Sequence, residues 1–330
     1  MRWLLTGATG FIGLNLAERL VQRGDEVRAL VRDPARAGEL EDLGAELVVG
    51  DVSRPETLPP AVRGADAVVH LAGIVKAVRR EDYFAVNAEG TRALARAAAS
   101  AGRVRFLLVS SLAAAGPSAP GRARTEEDPP APVSVYGESK LAAEEALRER
   151  ARDLEATVVR PPLVYGPRDK EMLPALFRMA QAGVVVKAGL GEKLYSVIHV
   201  DDLCDLIVLA ALCGRRLEES GSQGIYFGDS GPTHTWEDLA RAALDSLGRR
   251  GVVLAVPDAV SWLVAGASSA AARLRGRAAI FSLDKMLEIR EAAWTCSSAR
   301  ARRELEWEPR LGLFEGMRRS AEWFRRRGLV

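Results

Sequence analysis

Leu4-Leu5-Thr6-Gly7-Ala8-Thr9-Gly10-Phe11-Ile12-Gly13 is an apolar run that closes on a turn with three glycines and passes at once into a helical pattern, Ile12–Gln22. Glycine permits the tight turn and lets the backbone approach a pyrophosphate, whose charge then rests on free N–H groups at the positive end of the helix. Three glycines alone are common in turns. Their position between a first strand and a first helix is the context the motif requires. Gly7, Thr9, Gly10, Phe11, Ile12 and Gly13 are therefore expected to hold a dinucleotide.

Outward from this turn, short β-branched runs alternate with longer helical patterns. Strands are expected at Trp3–Thr6, Glu26–Val31, Glu46–Val49, Ala67–His70, Arg105–Ser110 and Thr157–Arg160, with an alanine-rich helix over Tyr83–Ser100 among the intervening segments. Strict alternation means βαβ units, and right-handed crossovers make them a doubly wound parallel sheet of the Rossmann kind, an α/β fold. After Pro161 the rhythm turns irregular, and proline and glycine become frequent. Residues 1–160 thus read as a dinucleotide-binding domain, completed by elements up to about residue 230. Residues 161–330 read mainly as a smaller C-terminal substrate lobe, with helices near Ser297–Leu305 and Leu313–Arg326. The loop Gly116–Pro132 is long, proline-rich and charged, the character of a functional or disordered connection.

Composition narrows the function classes. Hydrophobic residues are 48% and charged residues 27%, the mixture of an ordinary globular protein. A net charge of +2 leaves no broad footprint for nucleic acid. Cys204, Cys213 and Cys296 are too few and scattered for a disulfide framework, and no Cys/His spacing matches a metal site. The N-terminus enters a strand without a basic leader and cleavage site, and no apolar run approaches the roughly 20 residues of a transmembrane segment, so the cytoplasm is the expected location.

Roughly 20 residues beyond the glycines, the second strand should deliver the residue that handles the adenosine ribose. It ends Leu30-Val31-Arg32-Asp33. Val31 cannot bind a free 2′-hydroxyl, whereas Arg32 can pair with a 2′-phosphate, so NADP(H) is favoured over NAD(H); Asp33 turning inward is the competing reading. Farther on, Tyr136-Gly137-Glu138-Ser139-Lys140 sets a phenol and an ammonium four residues apart, on one face of a helix. A nearby cation favours the ionised phenol, and such a pair can exchange a proton with a carbinol or carbonyl oxygen.

With these motifs in place the chain resembles, over nearly its whole length, the extended short-chain dehydrogenase/reductase family: epimerases, dehydratases and 3-beta-hydroxysteroid-dehydrogenase-like proteins. Asp51-Val52 resembles the pair that touches adenine, and Leu71-Ala72-Gly73 the segment that passes under the cofactor. Asn87 matches the family's helix asparagine near the active site. Ser111, Tyr136 and Lys140 fall at the catalytic positions. Arg160-Pro161-Pro162-Leu163-Val164-Tyr165-Gly166-Pro167 and His199-Val200-Asp201-Asp202 resemble landmarks framing the substrate lobe. The resemblance implies that Tyr136 is the general acid/base, that Lys140 lowers its pKa and binds the nicotinamide ribose, that Ser111 bonds the reacting oxygen, and that Pro162 lies near the nicotinamide. His70 and His199 read as scaffold.

The leading expectation is an NAD(P)(H)-dependent oxidoreductase that interconverts a secondary alcohol and a ketone on an apolar or mixed small molecule. The alternatives are a nucleotide-sugar epimerase or dehydratase and a silent NAD(P)-binding regulator. Ser111 is followed by Leu112-Ala113 where the resembled 4,6-dehydratases carry an Asp-Glu pair. Pro161-Pro162-Leu163 stands where many sugar-nucleotide enzymes place an asparagine, and the only basic residue shortly before His199 is Lys193. Val260-Ser261-Trp262-Leu263-Val264-Ala265 and Ala278-Ala279-Ile280-Phe281, near Arg273, Arg275 and Arg277, supply apolar surface for core packing, for a pocket or for peripheral membrane contact. The resemblance also implies a homodimer through helices at Tyr83–Ser100 and Tyr136–Ala151, with a monomer as the alternative. Replacing Arg32 by alanine is expected to weaken NADPH much more than NADH in paired titrations; equal weakening would show that Arg32 is not the selector.

Overall fold

A computed structural model describes residues 1–274 and 283–330. The run Ala278-Ala279-Ile280-Phe281, with Arg275, Arg277 and the side chain of Arg273, lies outside what is described. The chain forms β1 (Arg2–Thr6), β2 (Glu26–Val31), β3 (Glu46–Val49), β4 (Ala67–His70), β5 (Arg105–Val109) and β6 (Glu155–Arg160). With the strand Ile225–Phe227 they make a seven-stranded sheet in the order Ile225–Phe227, β6, β5, β4, β1, β2, β3. Every pairing in it is parallel. The chain winds from β1 toward β3, then restarts at β4 on the other side of β1. That reversal opens a crevice at the carboxyl ends of β1 and β4, where ligands bind in such sheets.

Period-two alternation explains why the strands read as continuous apolar runs: both faces are covered. Leu5, Ala29, Val69 and Leu107 stand in one register row and pack with Leu16, Leu203 and Ile207 of the helices Phe11–Gln22 and Val200–Cys213. Leu4, Val68 and Phe106 form the adjacent row and pack on the other face with Leu94, Ala98, Ala143 and Leu147 of the helices Gly90–Ser100 and Val135–Arg148.

The expected helix over Tyr83–Ser100 is broken into Arg80–Phe84, a π turn at Ala85–Glu89, and Gly90–Ser100. Asn87 sits within the wide turn, buried, and its side chain reaches sideways: it accepts from Ile74 N at 2.8 Å and donates to Ser139 Oγ at 2.8 Å. π turns of this kind often mark functional sites.

The later half of the chain builds smaller sheets. Leu163–Tyr165 pairs with Val197–His199, Val184–Ala188 with Val252–Val256, and Leu194–Tyr195 lies between His234–Thr235 and Ala293–Trp294. The helices Met172–Gln181, Trp236–Leu247 and Leu313–Arg326 close over Tyr165, Phe177, Leu239 and Phe324. The mixed segment after Pro257 is a helix, Asp258–Leu274, which buries Ser261 and Ala265 and turns Leu263 and Val264 outward. The loop at 116–132 is held by its neighbours: Arg124 N donates to Thr295 O at 2.9 Å, and the buried Glu126 accepts from Phe227 N at 2.9 Å.

One ion pair lies deep between sheet and helix. Arg160, the last residue of β6, is 2% exposed and forks onto Glu144 of the helix Val135–Arg148, itself 1% exposed, with Nε at 2.9 Å and an Nη at 2.6 Å. Ser110 Oγ donates to the same carboxylate at 2.5 Å, and Arg160 lies over the Phe227 ring. Removing one member of a buried pair strands the other charge. Glu144→Leu is therefore expected to lower unfolding free energy by about 3–5 kcal/mol in urea titrations, and adding Arg160→Met to recover most of the loss.

Candidate active site

The crevice begins where β1 ends. Gly7 has φ +70°, and a Cβ placed there would stand 2.7 Å from Ala72 N, so the β1 turn and the segment after β4 touch backbone to backbone. The helix Phe11–Gln22 starts from Gly10 with no side-chain cap and no acidic residue in its first turn. Its leading N–H groups are thus left for an anion, which fits the pyrophosphate of a dinucleotide.

Behind this wall runs a buried relay. Ala72 N donates to Thr6 Oγ1 at 3.2 Å, so the Thr6 hydroxyl can donate to His70 Nδ1 at 2.6 Å. His70 Nε2 then donates to Thr91 Oγ1 at 3.0 Å, and Thr91 to Asn87 O at 2.5 Å. Burial pushes His70 down to about 3, which keeps it neutral and suited to scaffold work. His199 is likewise pushed down by burial, to about 4; it packs edge-on against Tyr165 and accepts from Asp201 N.

The structure brings most of the expected cofactor residues into two clefts that share Gly7, Gly10, Leu71 and Gly73. One end is lined by Thr9, Arg32, Asp51, Val52 and Ala72. The other is lined by Phe11, Ile12, Gly13, Ser111, Tyr136, Lys140 and Pro162. Asn87 is not on either wall. It stands behind Gly73, tying Ile74 to Ser139 of the helix that carries Tyr136.

That helix, Val135–Arg148, is started by Ser134, whose Oγ accepts from Gly137 N at 3.0 Å. Lys140 is buried and donates to Val109 O at 2.8 Å; burial pushes it down to about 8, with Glu144 one turn on opposing. Lys140 was expected to lower the Tyr136 phenol. Burial instead pushes the phenol up to about 12, the Ser111 hydroxyl pulling against it while Glu288 and Tyr83 add to the rise. Ser111 itself caps a short helix, Leu112–Ala115, by accepting from Ala113 N at 3.1 Å.

Beyond Ser111 and Tyr136 opens a cavity of about 340 Å³, walled by Leu112, Ala113, Pro162, Leu163, Met172, Tyr195, Trp236, Ile289 and Trp294, with Lys285 and Glu288 among them. Sequence reasoning missed Ser110, Tyr83, Glu144, Glu288 and Asp284, whose Oδ1 accepts from Val135 N at 2.8 Å at the start of the catalytic helix. Glu144 had a local signal, one helical turn beyond Lys140. The others act through partners remote in sequence and had none. Among the described residues no group of His, Cys, Asp or Glu could hold a metal, and no helix is long and apolar enough to cross a membrane.

A dinucleotide turn at the sheet's switch point, with a phenol, an ammonium and a hydroxyl at one end, defines an NAD(P)-dependent oxidoreductase of the extended short-chain dehydrogenase/reductase type. Residues 3–221 match the model of the NAD dependent epimerase/dehydratase family, and the chain belongs to that family. It is 35% identical over 332 residues to the ceramide reductase of Caulobacter vibrioides, covering 98% of this chain and 94% of that protein. Over 328 residues it is 29% identical to the 4-hydroxy-2-methyl-3-oxo-4-farnesyl-3,4-dihydroquinoline-1-oxide ketoreductase of Stigmatella aurantiaca, covering 96% and 95%. Among solved structures, MoeE5 in complex with UDP-glucuronic acid and NAD matches with a TM-score of 0.76 and 26% identity, covering 99% of this chain and all of that one (100%).

A buried ammonium with a pKa near 8 loses its charge inside the working pH range. kcat/KM for the cofactor, which reports ionisations of the free enzyme, is expected to fall as pH rises through about 8. A flat profile from pH 6 to 10 would remove Lys140 from cofactor binding.

Proposed function

We propose that the chain is an NADP(H)-dependent reductase of an apolar ketone, with Tyr136 as proton donor. The observation that carries this reading is the largely apolar cavity that opens onto Ser111 and Tyr136 at the end of the cofactor cleft. The likeness to a ceramide reductase and to a ketoreductase of a farnesylated quinoline supports an apolar, lipid-like substrate.

The roles follow from the chemistry of the groups. Gly7 to Gly13, Asp51, Val52 and Leu71 to Gly73 would hold the dinucleotide, and Arg32 its 2′-phosphate. Arg32 is exposed on the cleft wall, whereas Asp33 Oδ1 is engaged by its own turn, accepting from Ala35 N at 3.1 Å. Asp33 is thereby turned toward its own loop, and Arg32 is the side chain of the pair that lines the cleft, which supports NADP(H). NADPH held there would supply the hydride for the carbonyl carbon. Tyr136 delivers the proton to the carbonyl oxygen, and its raised pKa keeps the phenol protonated, in keeping with reduction. Ser111 donates a hydrogen bond to the same oxygen as charge develops there. Lys140 would orient the nicotinamide ribose, and Pro162, which lines the same cleft, would border the nicotinamide.

A sugar-nucleotide enzyme is the second reading, favoured by the likeness to MoeE5. Against it stand Leu112, Ala113, Pro162 and Leu163 on the cavity wall, none of which can answer a diphosphate or a sugar hydroxyl through its side chain. A silent regulator would need none of Ser111, Tyr136 and Lys140. Oxidation of NADPH against a panel of long-chain ketones tests the proposal; tight, micromolar binding of a UDP- or dTDP-sugar with no ketone reduction would overturn it. In the active assay Tyr136→Phe is expected to lower turnover by roughly 10²–10⁴-fold with NADPH binding retained. Wild-type turnover in that variant would sink the assignment of the phenol.

A further inference from the structure

Among the described residues the cavity beside Tyr136 has one acidic wall residue. Glu288, on the helix Leu283–Ile289, has a side chain only 10% exposed, and its charge is close enough to act on the Tyr136 phenol. It is held from two directions: Ser134 Oγ donates to Oε1 at 2.6 Å and Lys285 Nζ to Oε2 at 2.5 Å. A carboxylate offers about four acceptor positions, so about two remain after these bonds. The neighbouring Leu112, Met172 and Ile289 side chains offer it no donor, Trp294 Nε1 is already given to the Glu288 backbone carbonyl at 2.8 Å, and an acceptor left unmet on a largely buried side chain is costly.

From this arrangement we propose that Glu288 is the specificity-determining acceptor of the cavity, and that the substrate is an apolar-chain ketone with a hydroxyl or amide N–H donor beside the reacting carbonyl. The inference rests on the ketoreductase reading above. A pocket built to bond a donor rejects the analogue that lacks it far more strongly than an apolar pocket rejects a missing methylene. Glu288 would thereby set which carbonyl of a lipid presents itself to Tyr136, while the apolar walls take the chain.

The test compares binding of 2-nonanone and 1-hydroxy-2-nonanone to the full-length protein, read by fluorescence of Trp236 and Trp294 on the cavity wall. The wild type is expected to bind the hydroxyketone about 10- to 100-fold tighter, the range of one hydrogen bond to a charged group. Glu288→Leu is expected to bring the ratio to about one, and Ser134→Ala, which removes a partner of the carboxylate together with the side-chain cap on Gly137 N, to leave the preference in place. Equal affinities in the wild type would overturn the proposal without recourse to any variant. So would a preference that survives Glu288→Leu, or one abolished equally by Ser134→Ala, which would make Glu288 a helix-capping group only. Because binding is read apart from turnover, a Glu288-dependent preference without NADPH oxidation would sustain the acceptor and remove the ketoreductase reading. Reduction of both ketones with equal affinity and equal kcat/KM would do the reverse.

Discussion

The buried fork of Arg160 on Glu144 is the constraint around which the reactive end of the molecule is arranged. It joins the end of β6, the middle of the helix that carries Tyr136 and Lys140, and, through Ser110, the end of β5. A pair so deep contributes little net stability over an apolar substitute, because desolvation offsets most of its attraction. Its effect is geometric: two buried charges that need each other hold the helix at one height against the sheet. Ser111 follows Ser110 directly, so the hydroxyl and the phenol are set by a contact lying behind both. Glu144 also supports the charge of Lys140 against burial, which links the fork to the state of the ammonium.

A second device works on the cofactor side. The π turn lets Asn87 leave its helix sideways and hold Ile74 and Ser139 together, while Thr6, His70 and Thr91 bind the ends of β1 and β4 to that turn. Neutral hydrogen bonds suffice here because His70 is far too buried to take a proton at ordinary pH. The wall behind the cofactor cleft is thus rigid and uncharged, and the reactive groups stand in front of it.

How far the sequence could be read depended on whether a feature is local. The glycine turn and the strand alternation are local, and the parallel sheet follows from them. Tyr136 and Lys140 on one face follow from a spacing of four. The sign of the phenol's shift does not, because desolvation, Tyr83 and Glu288 belong to the assembled site. Tyr83–Ser100 read as one helix because a π turn barely disturbs an alanine-rich pattern. The segment after Pro257 hid a helix because Val260, Leu263 and Val264 face outward while Ser261 and Ala265 are buried, which blurs the usual stripe. Nothing near Ser134 in the chain announces Glu288, its partner 154 residues on.

That last separation bears on how the molecule comes into being. Asp284 Oδ1 accepts from Val135 N at 2.8 Å across 149 residues, beside the Glu288 bond to Ser134, so the opening turn of the catalytic helix is tied off by carboxylates near the far end of the chain. During synthesis at about 5–20 residues per second, the crossovers of the sheet can pack as they emerge, whereas this turn waits roughly 7–30 s for its partners. A chain that ended short of Asp284 would carry Ser111, Tyr136 and Lys140 but lack both carboxylates that fix the opening turn of their helix.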